Sequence, residues 1–175
     1  MSWKKPEIGW VWVKLNVDGS RDHYHPNGPS AGCGGVLRDA SGKWLMGFAK
    51  KVDPAYKAHQ VELQAILTGL EVASKMNIEK LVVESDSEPA VNMVKSGLVF
   101  KPHHPDYSVV QSINRLLENP KWQARLDYVP GTANRVADRL ANDARKLFYN
   151  ELREYPSAPE NCTQLLLEDN NGQDM

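Results

Sequence analysis

The chain has 175 residues, a length that favours one domain and leaves little room for two. Hydrophobic residues make up 41% and charged residues 25%, the balance of a globular protein rather than a disordered or fibrous one. The formal net charge of −1 argues against a protein that binds polyanions over its whole surface. However, residues 155–175 hold four acidic side chains and no Lys or Arg, which leaves 21 basic against 18 acidic side chains elsewhere. Nucleic acid is therefore not excluded as a partner.

The cysteines and the apolar runs exclude several other classes of protein. Cys33 and Cys162 lie far apart with no C-x-x-C pair, so neither a disulfide framework nor a thiolate zinc site is indicated. No apolar run approaches the roughly 18 residues of a membrane span, and residues 1–6 lack the apolar stretch of a signal peptide. We expect a soluble, intracellular monomer without a membrane partner.

The first half of the chain predicts three antiparallel strands. Residues 1–9 are polar and indicate a flexible arm, after which Val13, Leu15 and Val17 alternate with polar residues in a strand that ends near 18–20. Two further β-rich runs, 31–38 and 43–49, flank a turn that contains Gly42 and so form a hairpin.

Helical spacing then replaces the alternation, and short strands interrupt it. We expect strands at 81–83 and 122–129, and helices at 58–76, 88–97, 106–119 and 132–150. Strands that alternate with helices join a sheet in parallel. The predicted fold is therefore an α/β domain over residues 10–150, with a five-stranded mixed sheet (three antiparallel strands, then two parallel) and helices on both faces. Residues 151–175 are acidic and predict a disordered tail.

Four acidic residues stand where a carboxylate is expensive. Asp18 ends the first strand, and Asp86 ends a strand that a right-handed crossover can place beside it. Glu62 shares a helix face with small apolar residues, and Asp138 lies at the edge of an apolar stripe. Each one alone is more often a turn residue, a cap or a solvated side chain. Four that converge must be protonated, paired with Lys or Arg, or neutralised by a metal ion.

Oxygen ligands of this kind suit Mg²⁺ or Mn²⁺. Two such ions about 3.5–4 Å apart can activate a water and stabilise the leaving oxygen of a phosphodiester. The acidic residues therefore indicate metal-dependent phosphodiester hydrolysis, provided that they converge.

Five segments around these acids resemble a known family. They read KLNVDGS at 14–20, GCGGVLRD at 32–39, VELQA at 61–65, VESDS at 83–87 and ANRVADRLA at 133–141. Each is weak alone, but all five in this order are a strong signal over residues 10–148. The chain resembles the type 1 ribonuclease H family, most of all the ribonuclease H-like domains of plant non-LTR retroelements and their stand-alone relatives.

The resemblance implies a fold, an activity and a site. It implies a five-stranded sheet, two Mg²⁺ ions per site and hydrolysis of the RNA strand of an RNA/DNA hybrid. The implied catalytic and metal-binding residues are Asp18, Glu62, Asp86 and Asp138. The implied substrate contacts are Gly19, Ser20, Lys57, His59, Gln60 and Asn134.

Three departures from the family pattern keep a second hypothesis open. Tyr128 stands where many members carry a His, and Ala58 stands where many carry an Asn. A basic helical segment is missing, because Lys101 is the only fixed cation between Lys95 and Asp106. Phosphate contacts would then come from Arg21, Lys50, Lys51, Lys57, Arg135 and Arg139. The alternative to a nuclease is a catalytically weak or inactive domain that acts as a nucleic-acid or protein-binding adaptor.

Overall fold

The computed structural model describes residues 3–4, 12–96 and 101–171. Its strands are β1 (Trp12–Asp22), β2 (Ser30–Arg38), β3 (Trp44–Val52), β4 (Lys80–Ser85), β5 (Gln123–Tyr128) and β6 (Leu152–Tyr155). Its helices are α1 (Ala58–Ser74), α2 (Glu88–Ser96), α3 (Tyr107–Leu117), α4 (Arg135–Ala144) and α5 (Thr163–Asn171). Short 3-10 turns at Gly131–Ala133 and Glu160–Cys162 precede the last two helices. In the described ranges, no helix combines the length and hydropathy that crossing a bilayer requires.

The six strands form one mixed sheet in the order β5-β4-β1-β2-β3-β6. β1 is central, antiparallel to β2 and parallel to β4, and Val17 lies opposite Ser85 in the parallel pair. The α/β class, the meander of three strands and the two parallel additions are confirmed. Two predicted limits shift: β1 continues to Asp22, and α4 is shorter than the predicted 132–150. The predicted domain start at residue 10 and the predicted helix end at Gly97 lie outside the described residues.

Helices cover both faces of the sheet, as predicted. The larger apolar cluster lies between the sheet and α1, and a Cβ on Gly69 would come within 2.8 Å of Val17 Cγ1. On the other face, a smaller cluster joins β2 to α4, with Val36, Val136 and Leu140 buried. This close packing fixes α1 and α4 on opposite sides of β1 and therefore determines which side chains meet at its end.

The sheet has six strands rather than the predicted five, because the predicted disordered tail supplies one. β6 pairs with β3, and the indole of Trp44 donates a hydrogen bond to the carbonyl of Tyr155 at 2.8 Å. Further along, Cys162 is buried and Asp169 forms an ion pair of 2.8 Å with Arg38. Arg38 is 1% exposed and needs this carboxylate. Disorder is thus wrong for residues 151–171.

The same buried arginine contacts the other end of the chain. Trp3 is fully buried, its indole donates to Asn16 Oδ1 at 2.7 Å, and the Arg38 guanidinium lies 4.0 Å from the centroid of its ring. The predicted flexible arm is therefore anchored at Trp3. The rest of the arm, apart from Lys4, lies outside the described residues. A polar network thus fills the sheet face that α4 leaves uncovered.

Candidate active site

Three of the four predicted carboxylates meet at the carboxyl end of β1. Asp18, Glu62 and Asp86 each offer an oxygen within 4.8 Å of the others. Asp18 and Asp86 meet because the parallel strands β1 and β4 run in register to Val17 and Ser85 and end at the same edge. Glu62 reaches them from the second turn of α1, which packs on β1. We call these three residues the carboxylate cluster.

The backbone of Gly19 ties two members of the cluster together. Its N–H donates to Asp18 Oδ1 at 2.9 Å and to Glu62 Oε2 at 3.1 Å. A Cβ at this position would lie 2.8 Å from Val61 Cγ1 and 3.2 Å from Glu62 Cδ. Only glycine lets α1 approach closely enough for Glu62 to join Asp18.

Burial and mutual repulsion set the protonation of the carboxylate cluster. Burial, followed by the charges of Glu62 and Asp86, raises the pKa of Asp18 to about 11. Burial likewise raises the pKa of Glu62 to about 7 and the pKa of Asp86 above its usual value. Within the described part of the chain, no Lys or Arg forms an ion pair with any of the three. An all-oxygen donor set with this much unbalanced charge fits a hard divalent cation.

Asp138, the fourth predicted carboxylate, lies at the rim. It is exposed on α4 and does not belong to the group of close oxygens. Its negative charge nevertheless adds to the effect of burial in raising the pKa values of Glu62 and Asp86, so it acts electrostatically on the cluster. Asn142 donates to Asp138 Oδ2 at 3.3 Å, and Asn142 Oδ1 in turn accepts from Ser20 Oγ at 2.6 Å.

Asn134 supports the cluster from beneath. It is 1% exposed, and its amide donates to the carbonyl of Val17 at 2.7 Å. Hydrogen bonding by the same side chain lowers the pKa of Asp86, against the larger effect of burial. Asn134 therefore fastens the start of α4 to β1 beside two of the carboxylates.

A buried aspartate organises the predicted substrate contacts at the start of α1. Asp106 is 4% exposed; one of its oxygens lies 2.8 Å from His59 Nε2 and the other accepts from Gln60 Nε2 at 2.9 Å. The other end of Gln60 accepts from the backbone N–H of Lys57 at 2.8 Å. The amide of Gln60 is thus engaged at both ends within the protein. Burial opposes ionisation of Asp106, but these hydrogen bonds outweigh it and lower its pKa.

Sequence reasoning missed Asp106 because its contacts depend on how α1 packs against α3. The available signal was its position at the start of the predicted helix 106–119, where aspartate is a common cap. Its side chain makes no cap hydrogen bond within the described residues and serves α1 instead.

Two other residues singled out in the sequence are Tyr128, at the end of β5, and Arg135, which contacts α5. Tyr128 is half-exposed and lies opposite Ser85, at the strand end from which Asp86 emerges. Arg135, a predicted phosphate contact, is paired with Glu168 at 2.7 Å and with Asp169 at 3.6 Å. The aromatic side chain is open beside the cluster, whereas Arg135 already has acidic partners.

Known proteins resemble this chain in sequence and in fold. Residues 16–144 match the family described as reverse transcriptase-like. The chain belongs to that family. This reverse transcriptase-like chain is 35% identical over 170 residues to a protein of Arabidopsis thaliana named a ribonuclease H protein, a match that covers 94% of the chain and 26% of the relative. The chain therefore spans about a quarter of the length of this curated relative.

Solved structures agree with the family assignment. The N-terminal ribonuclease H domain of a Mycobacterium tuberculosis protein is 26% identical, with a TM-score of 0.63 over 77% of this chain and 94% of that one. LC11 ribonuclease H1 in complex with an RNA/DNA hybrid is 22% identical, with a TM-score of 0.61 over 76% of this chain and 96% of that one. The predicted resemblance to ribonuclease H is confirmed, and the chain is a ribonuclease H-like domain.

Proposed function

We propose that this domain is a metal-dependent endonuclease that hydrolyses the RNA strand of RNA/DNA hybrids. The observation that carries the proposal is the carboxylate cluster, three acids within 4.8 Å of one another with a pKa of about 11 at Asp18. Such a cluster costs folding free energy unless a cation compensates for it. The likeness to a ribonuclease H1 in complex with a hybrid supports the substrate class.

Asp18, Glu62 and Asp86 would hold the metal, with Asp138 completing the set from the rim. When bound, two Mg²⁺ ions (or Mn²⁺) supply an activated water and neutralise charge on the leaving oxygen. The chain's own contribution is to fix the ligands: Gly19 N–H aligns Asp18 with Glu62, and Asn134 holds α4 against β1. Because these donors are backbone or buried groups, little reorganisation accompanies metal binding.

The substrate contacts that we propose surround the cluster. Gly19 and Ser20 continue β1 past Asp18, and Ser20 is partly buried against Asn142. Lys57 and His59 lie at the start of α1, where Asp106 holds the His59 ring. Gln60 and Asn134 were also predicted as substrate contacts, but their amides bond within the protein, which supports a positioning role for both.

The test is cleavage of an end-labelled RNA/DNA hybrid at low salt with Mg²⁺ or Mn²⁺. The wild-type protein should cut the RNA strand, and Glu62→Gln and Asp86→Asn should abolish cutting. The matched control is Glu71→Gln, because Glu71 is exposed on the same helix as Glu62 but away from the cluster. Loss of cutting in the control, or cutting that survives both cluster variants, would contradict the assignment.

The second candidate function is an adaptor that binds nucleic acid or protein without turnover. The exposed Tyr128 beside Asp86 favours it, because many ribonucleases H carry a histidine at this position and imidazole is the side chain suited to proton exchange near neutral pH. The adaptor predicts binding that is insensitive to a chelator and no cleavage by a folded protein. The nuclease predicts that cleavage stops on addition of EDTA.

A further inference from the structure

A second site, whose charged lining is mainly positive, lies further along β1 than the carboxylate cluster. A cavity of about 390 Å³ opens where β1 turns into β2, and its charged lining is Asp22, Lys51, Arg145 and Lys146. Three cations thus face one carboxylate, with His25 and Ser30 as further polar lining. We call this cavity the basic pocket.

The cations of the basic pocket are crowded and incompletely paired. Lys51 Nζ donates to the backbone carbonyl of Arg145. Burial first, and then the Arg145 charge, lower the pKa of Lys51. Arg145 has Asp22 at 3.3 Å, but its buried Nε has no hydrogen-bond partner among the described residues. The exposed Lys146 forms no ion pair in the described part of the chain. An anion would reduce the repulsion among these three cations, just as a cation would reduce the repulsion within the carboxylate cluster.

A chain of polar contacts connects the basic pocket to the proposed active site. Asn142 donates to Asp138 Oδ2 and accepts from Arg145 Nη2 at 3.4 Å, so α4 presents both sites along one side. On the sheet, Asp18 and Asp22 belong to the same strand. At about 3.3 Å per residue they are about 13 Å apart, a distance that a nucleic-acid strand covers within a few nucleotides. A strand whose phosphodiester lies at the cluster can therefore reach the basic pocket.

We propose that the basic pocket binds a backbone phosphate of the strand that lies in the carboxylate cluster, through Lys51, Arg145 and Lys146. The inference rests on the proposed function and adds to it the side on which the strand leaves the site. The basic pocket would also provide cations for phosphate contacts, in place of the basic segment that this chain lacks near Lys101.

The experiment measures binding rather than cleavage. A fluorescent RNA/DNA hybrid is titrated with the full chain in EDTA at several salt concentrations, so that turnover plays no part. Lys51→Gln combined with Lys146→Gln should weaken binding and reduce the slope of log K against log salt by about 0.9 per lost contact. Because Lys146 is exposed and its side chain makes no hydrogen bond in the described structure, Lys146→Glu alone provides a variant that keeps the fold.

The control is Lys75→Gln combined with Arg115→Gln. This pair removes the same charge from exposed positions at the far end of α1 and on α3. An equal loss of affinity in the control would overturn the proposal, because the effect would then come from net charge alone. So would the absence of measurable hybrid binding by the wild type.

The phosphate itself is located with single neutral methylphosphonates placed along each strand. One position should weaken wild-type binding and have no further effect on Lys146→Glu. If every position weakens both proteins equally, the pocket holds no particular phosphate and the proposal fails. Failure of the proposed nuclease function can be distinguished from failure of this proposal. A hybrid that stays uncut with Mg²⁺ would contradict the nuclease function but would not change the binding measured in EDTA.

Discussion

The carboxylate cluster predicts that replacing Asp18 with Asn stabilises the metal-free protein. The pKa of Asp18 is about 11 in the folded chain, against 3.8 for an unperturbed aspartate. At pH 7 the folded state therefore keeps a proton on Asp18 that the unfolded state releases. At about 1.4 kcal/mol per pH unit over roughly three units, that proton costs about 4 kcal/mol of folding free energy.

Asn carries no charge and keeps one oxygen to accept the Gly19 N–H, so most of this cost disappears. Allowing about 1 kcal/mol for imperfect hydrogen bonding, Asp18→Asn should gain about 3 kcal/mol at pH 7. For a chain of this size, that gain raises Tm by roughly 6–12 °C.

The pH dependence has a definite sign. A carboxyl whose pKa is raised on folding contributes most below its unfolded pKa, and its contribution is lost as pH rises towards the folded value. The metal-free wild type should therefore lose stability between about pH 4 and pH 9 at up to about 1.4 kcal/mol per unit for each retained proton. Glu62, with a pKa of about 7, adds to the loss in the lower part of this window. Asp18→Asn should show a flatter profile and converge with the wild type near pH 4.

The assay is denaturant unfolding in EDTA from pH 4 to pH 9, followed by the same series with Mg²⁺. Glu71→Gln is the control, since it removes an exposed carboxyl from α1 without touching the cluster. Mg²⁺ should stabilise the wild type through preferential binding to the folded state and should stabilise Asp18→Asn far less. A variant no more stable than the wild type at pH 8 in EDTA, or one with the same pH slope, would refute the reasoning.

Three further changes test the surroundings of the cluster. Asp106→Ala should weaken hybrid binding about two- to ten-fold by releasing His59, and should add nothing in a His59→Ala background; equal losses in both backgrounds would mean that Asp106 acts only on stability. Asp169→Ala leaves Arg38 buried without its carboxylate and should cost about 3–5 kcal/mol in denaturant unfolding, whereas a loss below about 1 kcal/mol would contradict the buried pair. Tyr128→His should raise hybrid cleavage at pH 7 by up to about 100-fold, and an unchanged rate would remove position 128 from the reaction.

The site residues could be predicted from the sequence where the order and direction of the strands and helices determine their positions. Asp18 and Asp86 were predictable because parallel neighbouring strands bring their ends to one edge, and Glu62 because its helix face is otherwise small and apolar. The contacts of Asp106 were not predictable, since they require the packing of α1 against α3. The distance of Asp138 from the cluster was not predictable either, because the sequence pattern places this residue on α4 without fixing how far it lies from the other three carboxylates.

The tail was misjudged because its order depends on long-range contacts that composition does not reveal: β6 pairs with β3, Cys162 is buried in an apolar cluster, and Asp169 pairs with Arg38. Residues 151–171 contain little that composition distinguishes from a solvated tail, yet Asp169 satisfies an arginine that would otherwise be buried unpaired. The signal was Arg38 itself, a cation inside a β-rich run between buried residues. A buried guanidinium requires an acid, and here the tail supplies it as Asp169.

The carboxylate cluster and the basic pocket carry opposite charges and lie close together. In the proposed function, this arrangement lets the domain hold a polyanion although the net charge of the chain is near zero. The carboxylate cluster alone would repel a phosphodiester, and the basic pocket alone would hold it without chemistry. Asn142 lies between the two sites, bonded to Asp138 on one side and to Arg145 on the other, so a shift of α4 would move both together. Substrate phosphate in the pocket and metal in the cluster should therefore bind cooperatively, since each relieves the repulsion that disfavours the other. That coupling would appear as tighter binding of an uncleavable hybrid analogue in Mg²⁺ than in EDTA for the wild type, and as a smaller difference for Lys146→Glu.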